Sequence, residues 1–235
     1  MYSFTSRIRY SEVDINKKLD LAAIINYFQD CTTFHSEDLQ IGIEHMSEMN
    51  FSWMLSSWQI IINRSPVYGE TITTTTWPYG FDSMFGYRNF TITDTSNAVC
   101  AYANSIWILV DLNTGHPIKL TNSITSAYPL EDGLDMEYAP RKIKLPKESQ
   151  EEQPIQVVRS FLDTNNHVNN GQYIKIAEEF LPKDFIIHEM RADYRTSALL
   201  GDTIIPKCSI TDKECIVTLC QPDGKPYAII QFIAQ

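Results

Sequence analysis

The sequence lacks the features that mark membrane, secreted and organelle-targeted proteins. No apolar run approaches the roughly eighteen residues that a membrane-spanning helix needs, so we expect no transmembrane span. The amino terminus, MYSFTSRIRYSEVD, has neither the apolar core of a secretion signal nor the length and Ser/Arg content of a transit peptide. These absences predict a cytoplasmic protein.

Recognised metal and redox motifs are also missing. The histidines show no HExxH or paired spacing, which argues against a metal hydrolase, and we expect no cofactor. The cysteines match neither a zinc ribbon nor a CxxC motif, and their odd number and apolar surroundings predict free, mostly buried thiols in a reducing compartment. The histidines are His35, His45, His116, His167 and His188, and the cysteines are Cys31, Cys100, Cys208, Cys215 and Cys220.

Positive charge is scarce. Lysine and arginine total 19 against 29 acidic residues, which gives a formal net charge of −10. Non-specific binding to nucleic acid or to an anionic membrane is therefore disfavoured, and an anionic partner would need a local basic patch. The composition, 43% hydrophobic and 20% charged over 235 residues, is that of a globular protein with one large domain or two small ones.

The chain repeats one pattern twice. A β-prone segment, residues 7–14, precedes a helix with Leu21, Ile24, Ile25 and Phe28 on one face, and long β-prone runs follow. Residues 155–163 begin the same order again. Residues 14–18 align with 163–167, and 66–72 with 198–204. We therefore predict an α+β protein with duplicated domains at 1–130 and 154–235, joined by a linker at 131–153.

The linker holds a basic cluster in an otherwise acidic chain. Arg141, Lys142, Lys144 and Lys147 lie close together there. Two interpretations remain open, a solvated connector and a docking patch for an acidic partner.

The second repeat contains a candidate reactive loop, LDTNNHVNN. If the loop is extended, Asp163, Asn165 and His167 project to one side, next to a helix amino terminus whose N–H groups suit a developing oxyanion. Histidine supplies a proton acceptor near neutral pH. The plainer alternative is that Asn169 or Asn170 caps the helix and the rest is a turn. The first repeat has Lys18 where the second has His167, a difference that capping alone does not require.

The segment LDTNNHVNNGQYIKIAEE resembles the signature of the acyl-ACP thioesterases, D-x-N-x-H-V-N-N-x-x-Y. YSEVD and the W…P…GE stretch resemble that family's first half. The resemblance implies two tandem hot-dog domains, each an antiparallel sheet wrapped around a long helix. It also implies hydrolysis of fatty acyl-acyl carrier protein, which ends chain elongation. Without a transit peptide, the chain resembles the bacterial members.

The resemblance makes Asp163, Asn165 and His167 the catalytic set. We expect direct hydrolysis by water, with His167 as the base. Asn165 and a backbone N–H at the helix start would hold the thioester oxygen, and Asp163 would orient the loop or the imidazole.

The chain departs from the family pattern at two positions. Ser197 stands where the family has a catalytic carboxylate, and Ala198 stands where many plant members have a cysteine. The missing cysteine argues against a Cys–His mechanism. Asp193 and Glu189 are the nearest acids that could replace the carboxylate.

The first repeat is expected to supply the acyl-chain pocket and to be non-catalytic. Its large apolar residues are by default core, and Trp53 and Met54 are the candidates for closing the tunnel. The expected partner is acyl carrier protein, with the linker cluster as the docking site. Homodimerisation is left open.

Two rival functions remain. One is a hot-dog acyl-CoA thioesterase, in which a helix carboxylate, Glu178 or Glu179, could do the work. The other is a non-catalytic acyl-binding protein, a function that Ser197 would favour and the retained loop residues oppose.

Overall fold

The computed structural model describes residues 1–235, which form two compact units. Unit 1 comprises residues 1–56 and 62–139, and unit 2 comprises residues 57–61 and 140–235. The predicted linker is thus divided, since residues 131–139 belong to unit 1 and residues 140–153 to unit 2. None of the helices combines the length and apolar character that crossing a bilayer requires.

Unit 1 is an antiparallel sheet with a long helix against it. Its strands lie in the order β1-β3-β4-β5-β2. The strands are β1 (Tyr2–Arg7), β2 (Phe51–Ile62, of which residues 57–61 group with unit 2), β3 (Thr71–Asp82), β4 (Phe85–Asp94) and β5 (Val99–Asp111); the helices are α1 (Leu21–Asp38), α2 (Ile43–Glu48) and α3 (Asn122–Thr125).

Helix α1 packs through the apolar face that its sequence predicts. Asp20 is the N-cap, and its carboxylate accepts a hydrogen bond from the Ala23 N–H at 2.6 Å. The four apolar residues of the predicted face are all buried. The Phe28 ring lies 4.9 Å from the Phe90 ring of β4, between centroids. Burial of each such side chain contributes about 1.5–3 kcal/mol, which fixes α1 on the sheet.

Unit 2 repeats the arrangement with a shorter helix. Its sheet runs in the order residues 57–61 of β2, then β8-β11-β10-β9-β6, and β7 also pairs with β9; every pairing is antiparallel. Helix α4 lies against β10 and β11. The elements are β6 (Gln150–Glu151), β7 (Ile155–Gln156), α4 (Asn170–Glu178), β8 (Ile187–Tyr194), β9 (Thr203–Ile210), β10 (Glu214–Cys220) and β11 (Pro226–Ala234). The predicted antiparallel sheet is confirmed.

The cysteines are structural. All five are buried free thiols, as the apolar context of each predicts. Burial raises the pKa of Cys31 to about 12. A thiol held protonated in this way is a poor nucleophile and acts as a small core residue.

Candidate functional site

The candidate loop of unit 2 is a tight turn built on its own aspartate. The Oδ1 of Asp163 accepts the N–H groups of Asn165 at 2.8 Å and His167 at 3.2 Å. The Asp163 N–H donates to the His167 carbonyl at 2.8 Å, and Asn166 takes the left-handed conformation with φ at 60°. The loop is therefore not extended, because the side chain of Asp163 bonds to the backbone ahead of it. Strand alternation does not set the directions of its side chains.

Unit 1 contains the same turn. The Oδ1 of Asp14 accepts the N–H groups of Asn16 at 2.8 Å and Lys18 at 2.9 Å, and the Asp14 N–H donates to the Lys18 carbonyl at 2.8 Å. Lys17 is left-handed with φ at 61°. The aspartate thus serves the turn in both units. What distinguishes the unit 2 loop is the side chain at the Lys18 position, His167.

A second loop supports the turn in each unit. The Leu19 N–H donates to the Pro66 carbonyl at 2.7 Å in unit 1, and the Val168 N–H donates to the Ala198 carbonyl at 3.0 Å in unit 2. Gly69 and Gly201 both have positive φ, 81° and 85°, which a residue with a Cβ rarely adopts. The sequence alignment of residues 66–72 with 198–204 therefore corresponds to the same local structure.

Helix α4 starts directly after the loop. Asn169 is the N-cap, and its side-chain oxygen accepts the Gly171 N–H at 2.8 Å. The Tyr194 hydroxyl donates to the Asn170 carbonyl at 3.1 Å. The capping interpretation is correct for Asn169, and the loop stands at the positive end of the helix dipole.

Two polar side chains of the loop remain available. Asn165 is exposed and His167 is half-buried, and neither side chain makes a hydrogen bond within the protein. The loop therefore presents an amide and an imidazole beside the start of a helix.

Ser197 lies in the connection between β8 and β9. It is half-buried and directly precedes Ala198, whose carbonyl holds the residue after His167. The backbone next to Ser197 therefore lies beside the loop.

The two substitute acids do not reach this region. Tyr194 contacts α4, so its neighbour Asp193 points to the opposite face of β8. Asp193 is fully buried there, and its Oδ2 accepts the Ile143 N–H at 3.1 Å and pairs with Arg195 at 2.5 Å. Glu189 lies four residues from Asp193 on the same strand and therefore points to the same face. Its carboxylate accepts a hydrogen bond from the Gln59 side-chain amide at 3.0 Å. Neither acid is placed to activate water at His167.

The helix acids are also remote from the loop. Glu178 is the last residue of α4 and Glu179 is the C-cap, at the opposite end from Asn169. Nine helical residues span about 13 Å. The helix carboxylates and the His167 loop therefore lie at opposite ends of α4.

Trp53 and Met54 are neighbours on β2 and point to opposite faces of it. The Trp53 ring is half-buried and lies 6.2 Å from Phe81 and 6.5 Å from Tyr128, between centroids. Met54 is 39% exposed. The structure does not bring the two side chains together.

The basic linker cluster is anchored by one apolar residue. Ile143 is buried with Ile216 and Ile229. Lys142 and Lys144, on either side of it, are exposed, as is Lys147, while Arg141 is half-buried. Three of the four cations are therefore presented to solvent.

Sequence reasoning missed a buried polar group in unit 1. The guanidinium of Arg88 lies 3.0 Å from the His35 Nδ1 and 3.3 Å from the Thr76 hydroxyl, and all three residues are buried. Burial, and then the charge of Arg88, lowers the pKa of His35 to about 4. The signal in the sequence was an arginine two residues before Phe90, on the core-facing side of the same strand.

One further group has metal-ligand chemistry. Glu70, Asp94 and Cys100 have their ligand atoms within 4.8 Å of one another. Arg64 already bonds both carboxylates, at 2.5 Å to Glu70 and 2.7 Å to Asp94, and lowers the pKa of Glu70. We interpret the group as an ion-pair network within unit 1.

Two family models match this chain. The acyl-ACP thioesterase N-terminal domain matches residues 1–128, and the acyl-ACP thioesterase C-terminal domain matches residues 144–220. Among curated relatives, an oleoyl-acyl carrier protein thioesterase of Coriandrum sativum is 26% identical over 219 residues, covering 84% of this chain and 59% of the relative. One from Arabidopsis thaliana is 24% identical over 218 residues, covering 84% and 60%. The chain thus spans about three-fifths of the length of these relatives.

Solved structures share the fold over nearly the whole chain. An acyl-ACP thioesterase from Bacteroides thetaiotaomicron matches with a TM-score of 0.91 and 24% identity, covering 99% of this chain and 97% of that one. The 12:0-ACP thioesterase from Umbellularia californica matches with a TM-score of 0.87 and 18% identity, covering 100% and 96%. With two family models matched in order and the signature loop in place, this chain belongs to the acyl-ACP thioesterase family.

Proposed function

We propose that the protein hydrolyses the thioester of fatty acyl-acyl carrier protein to free fatty acid and carrier, which ends chain elongation. One observation carries the proposal: the unit 2 loop has the turn of unit 1 but presents His167 and Asn165, with unbonded side chains, where unit 1 has Lys18 and Asn16. Family membership and the named activities of the relatives support it.

The reaction we propose is direct attack by water. The imidazole of His167 accepts one proton as the water oxygen bonds to the thioester carbon, a step worth about 10² to 10⁴ in rate. The carbonyl oxygen becomes an oxyanion, which the Asn165 amide and an N–H at the start of α4 would stabilise. The carbon–sulfur bond then breaks, and the departing thiolate takes the proton from the imidazolium.

In this mechanism no side chain of the protein attacks the thioester carbon. Ala198 cannot attack the thioester, and burial raises the pKa of all five cysteine thiols, which favours their protonated form. Ser197 is not a base at neutral pH, so we assign proton transfer to His167 alone. Asp163 acts by holding the turn, since its Oδ1 accepts two loop N–H groups.

The carrier is proposed to dock at the linker cluster. Lys142, Lys144 and Lys147 are exposed on a chain with net charge −10. Lys142 and Lys144 flank Ile143, which is buried against Ile216 and Ile229 of the unit 2 sheet. An acidic carrier would be attracted to such a local positive surface. Unit 1 is proposed to hold the acyl chain, with Trp53 near its end. Cytoplasmic location stays a prediction.

The deciding experiment compares two thioesters of the same fatty acid. Release of free thiol is measured with the acyl chain on carrier protein and on CoA, and kcat/KM is determined for both. We expect the carrier-linked substrate to be preferred. Preference for the CoA ester would instead identify an acyl-CoA thioesterase, and binding without thiol release would identify an acyl-binding protein.

A further inference from the structure

The unit 2 loop is connected to α4 through a short path of buried hydrogen bonds. The Tyr173 hydroxyl accepts the Ala198 N–H at 2.9 Å, and the Ala198 carbonyl accepts the Val168 N–H at 3.0 Å. All three residues are buried, with exposures of 2%, 0% and 3%. Val168 directly follows His167. We infer that Tyr173 is a positioning residue, which holds the His167 loop through the Ala198 peptide; the inference rests on the proposed function for its catalytic consequence.

Unit 1 shows that this hydroxyl is not a requirement of the fold. Ile24 stands four residues after the N-cap of α1, where Tyr173 stands four after the N-cap of α4. Pro66, which has no N–H, stands where unit 2 has Ala198. The carbonyl half of the path is the same in both units, because Pro66 accepts the Leu19 N–H at 2.7 Å. Only the unit that carries His167 adds the tyrosine bond.

The chemistry of Tyr173 fits a positioning role better than proton transfer. Burial raises its pKa to about 12, so the hydroxyl keeps its proton near neutral pH. Ala198 is fully buried, so its N–H is out of reach of solvent, and a buried donor without a partner is unfavourable. Removing the hydroxyl would therefore move the Ala198 peptide and, with it, Val168 and the imidazole of His167.

The main variant is Tyr173→Phe, which removes the hydroxyl and keeps the buried ring. We expect kcat for acyl-carrier hydrolysis to fall about 10- to 100-fold, since a small misplacement of a catalytic group has effects of that size. KM for the acyl-carrier substrate should stay within about twofold of the wild-type value, because the substitution is not at a residue proposed to bind the substrate. The matched control is Tyr27→Phe in α1, whose buried hydroxyl donates to the Glu12 carboxylate at 2.8 Å. We expect it to leave kcat unchanged.

A second variant copies the solution found in unit 1. The double variant Tyr173→Phe/Ala198→Pro has no N–H at position 198, just as Pro66 has none at the equivalent position of unit 1. The inference predicts that kcat recovers to within about threefold of the wild type, since no donor is left unpaired. Failure to recover would contradict it, and would point to direct participation of the hydroxyl. Unchanged kcat in Tyr173→Phe would also contradict it.

One readout is independent of turnover. The ring C–H signals of His167 in an NMR spectrum are identified by their absence in His167→Ala. Tyr173→Phe should shift these signals and Tyr27→Phe should not. If the wild type fails to hydrolyse acyl-carrier substrates but the signals move, the positioning role stands and the proposed function fails. If they do not move, the positioning role is wrong.

Discussion

The loops at 14–18 and 163–167 share a backbone and differ in chemistry. Each turn is closed by an aspartate that accepts two N–H groups, each has a left-handed residue at the fourth position, and each leads into a capped helix. The fifth position is Lys18 in one and His167 in the other. The comparison separates what the turn needs from what a reaction needs. The comparison assigns Asp163 to the turn, and it leaves His167 as the residue that we propose for the reaction.

Replacing the asparagine at the third position of each loop should give a large difference in kcat between the two loops. We expect Asn165→Ala to lower kcat for acyl-carrier hydrolysis about 10²- to 10³-fold, as loss of one oxyanion donor does. The matched variant Asn16→Ala should leave kcat unchanged, because unit 1 is proposed to be non-catalytic. Steady-state kinetics on both variants provide the check. Equal losses in the two would show that the asparagines serve folding.

The aspartates should behave alike in stability and differently in turnover. Asp163→Ala and Asp14→Ala each remove the acceptor of two backbone N–H groups, at an expected cost of about 1–2 kcal/mol in the free energy of unfolding. Asp163→Ala should also lower kcat about tenfold, because the loop that carries His167 loosens. Denaturant unfolding and kinetics measure the two effects. A kcat loss in Asp14→Ala as well would contradict the division between units.

The buried histidine of unit 1 should affect stability through pH. The pKa of His35 is lowered to about 4 in the folded protein, against an ordinary value near 6.5. Between these values the unfolded chain binds a proton that the folded chain does not. The stability contribution is therefore complete above pH 6.5 and is lost as pH falls towards 4, on the order of 1–2 kcal/mol by pH 5.

His35→Leu isolates this contribution from the titration of carboxylates. The variant should show a smaller loss of unfolding free energy between pH 7 and pH 5 than the wild type. The same pH dependence in both proteins would show that His35 is not buried in its neutral form.

The linker cluster should give the smallest effect. Changing Lys142, Lys144 and Lys147 to glutamate should raise KM for the acyl-carrier substrate several-fold, about 3- to 10-fold, with kcat preserved. Hydrolysis of a small thioester surrogate should be unchanged, because the cluster lies outside the loop. A uniform loss on both substrates would indicate misfolding rather than weaker docking.

The sequence predicted those features that depend on residues close together in the chain. The sequence predicts that Asn169 or Asn170 caps its helix, and the pairing of 14–18 with 163–167 follows from residue identity alone. The turn geometry differs from the expectation, because an extended loop would point Asp163 outward, whereas its carboxylate accepts hydrogen bonds from the backbone.

Long-range facts were beyond the sequence. Asp193 looked like a substitute for the missing carboxylate, yet strand direction places it under Ile143, on the face away from α4. Likewise, only the structure shows that Trp53 and Met54 point to opposite faces of β2. It also shows that Ile143, within the basic cluster, is buried against Ile216 and Ile229. Which face of a strand is buried is decided by packing partners that lie far away in sequence.

The most direct measurement is the initial rate of thiol release from acyl-carrier substrate by the wild type and by His167→Ala, with folding of both verified by circular dichroism. We expect the wild type to release thiol and the folded variant to be slower by about 10² to 10⁴, the usual value of a general base. Undiminished turnover in a folded His167→Ala protein would contradict the assignment of catalysis to the unit 2 loop.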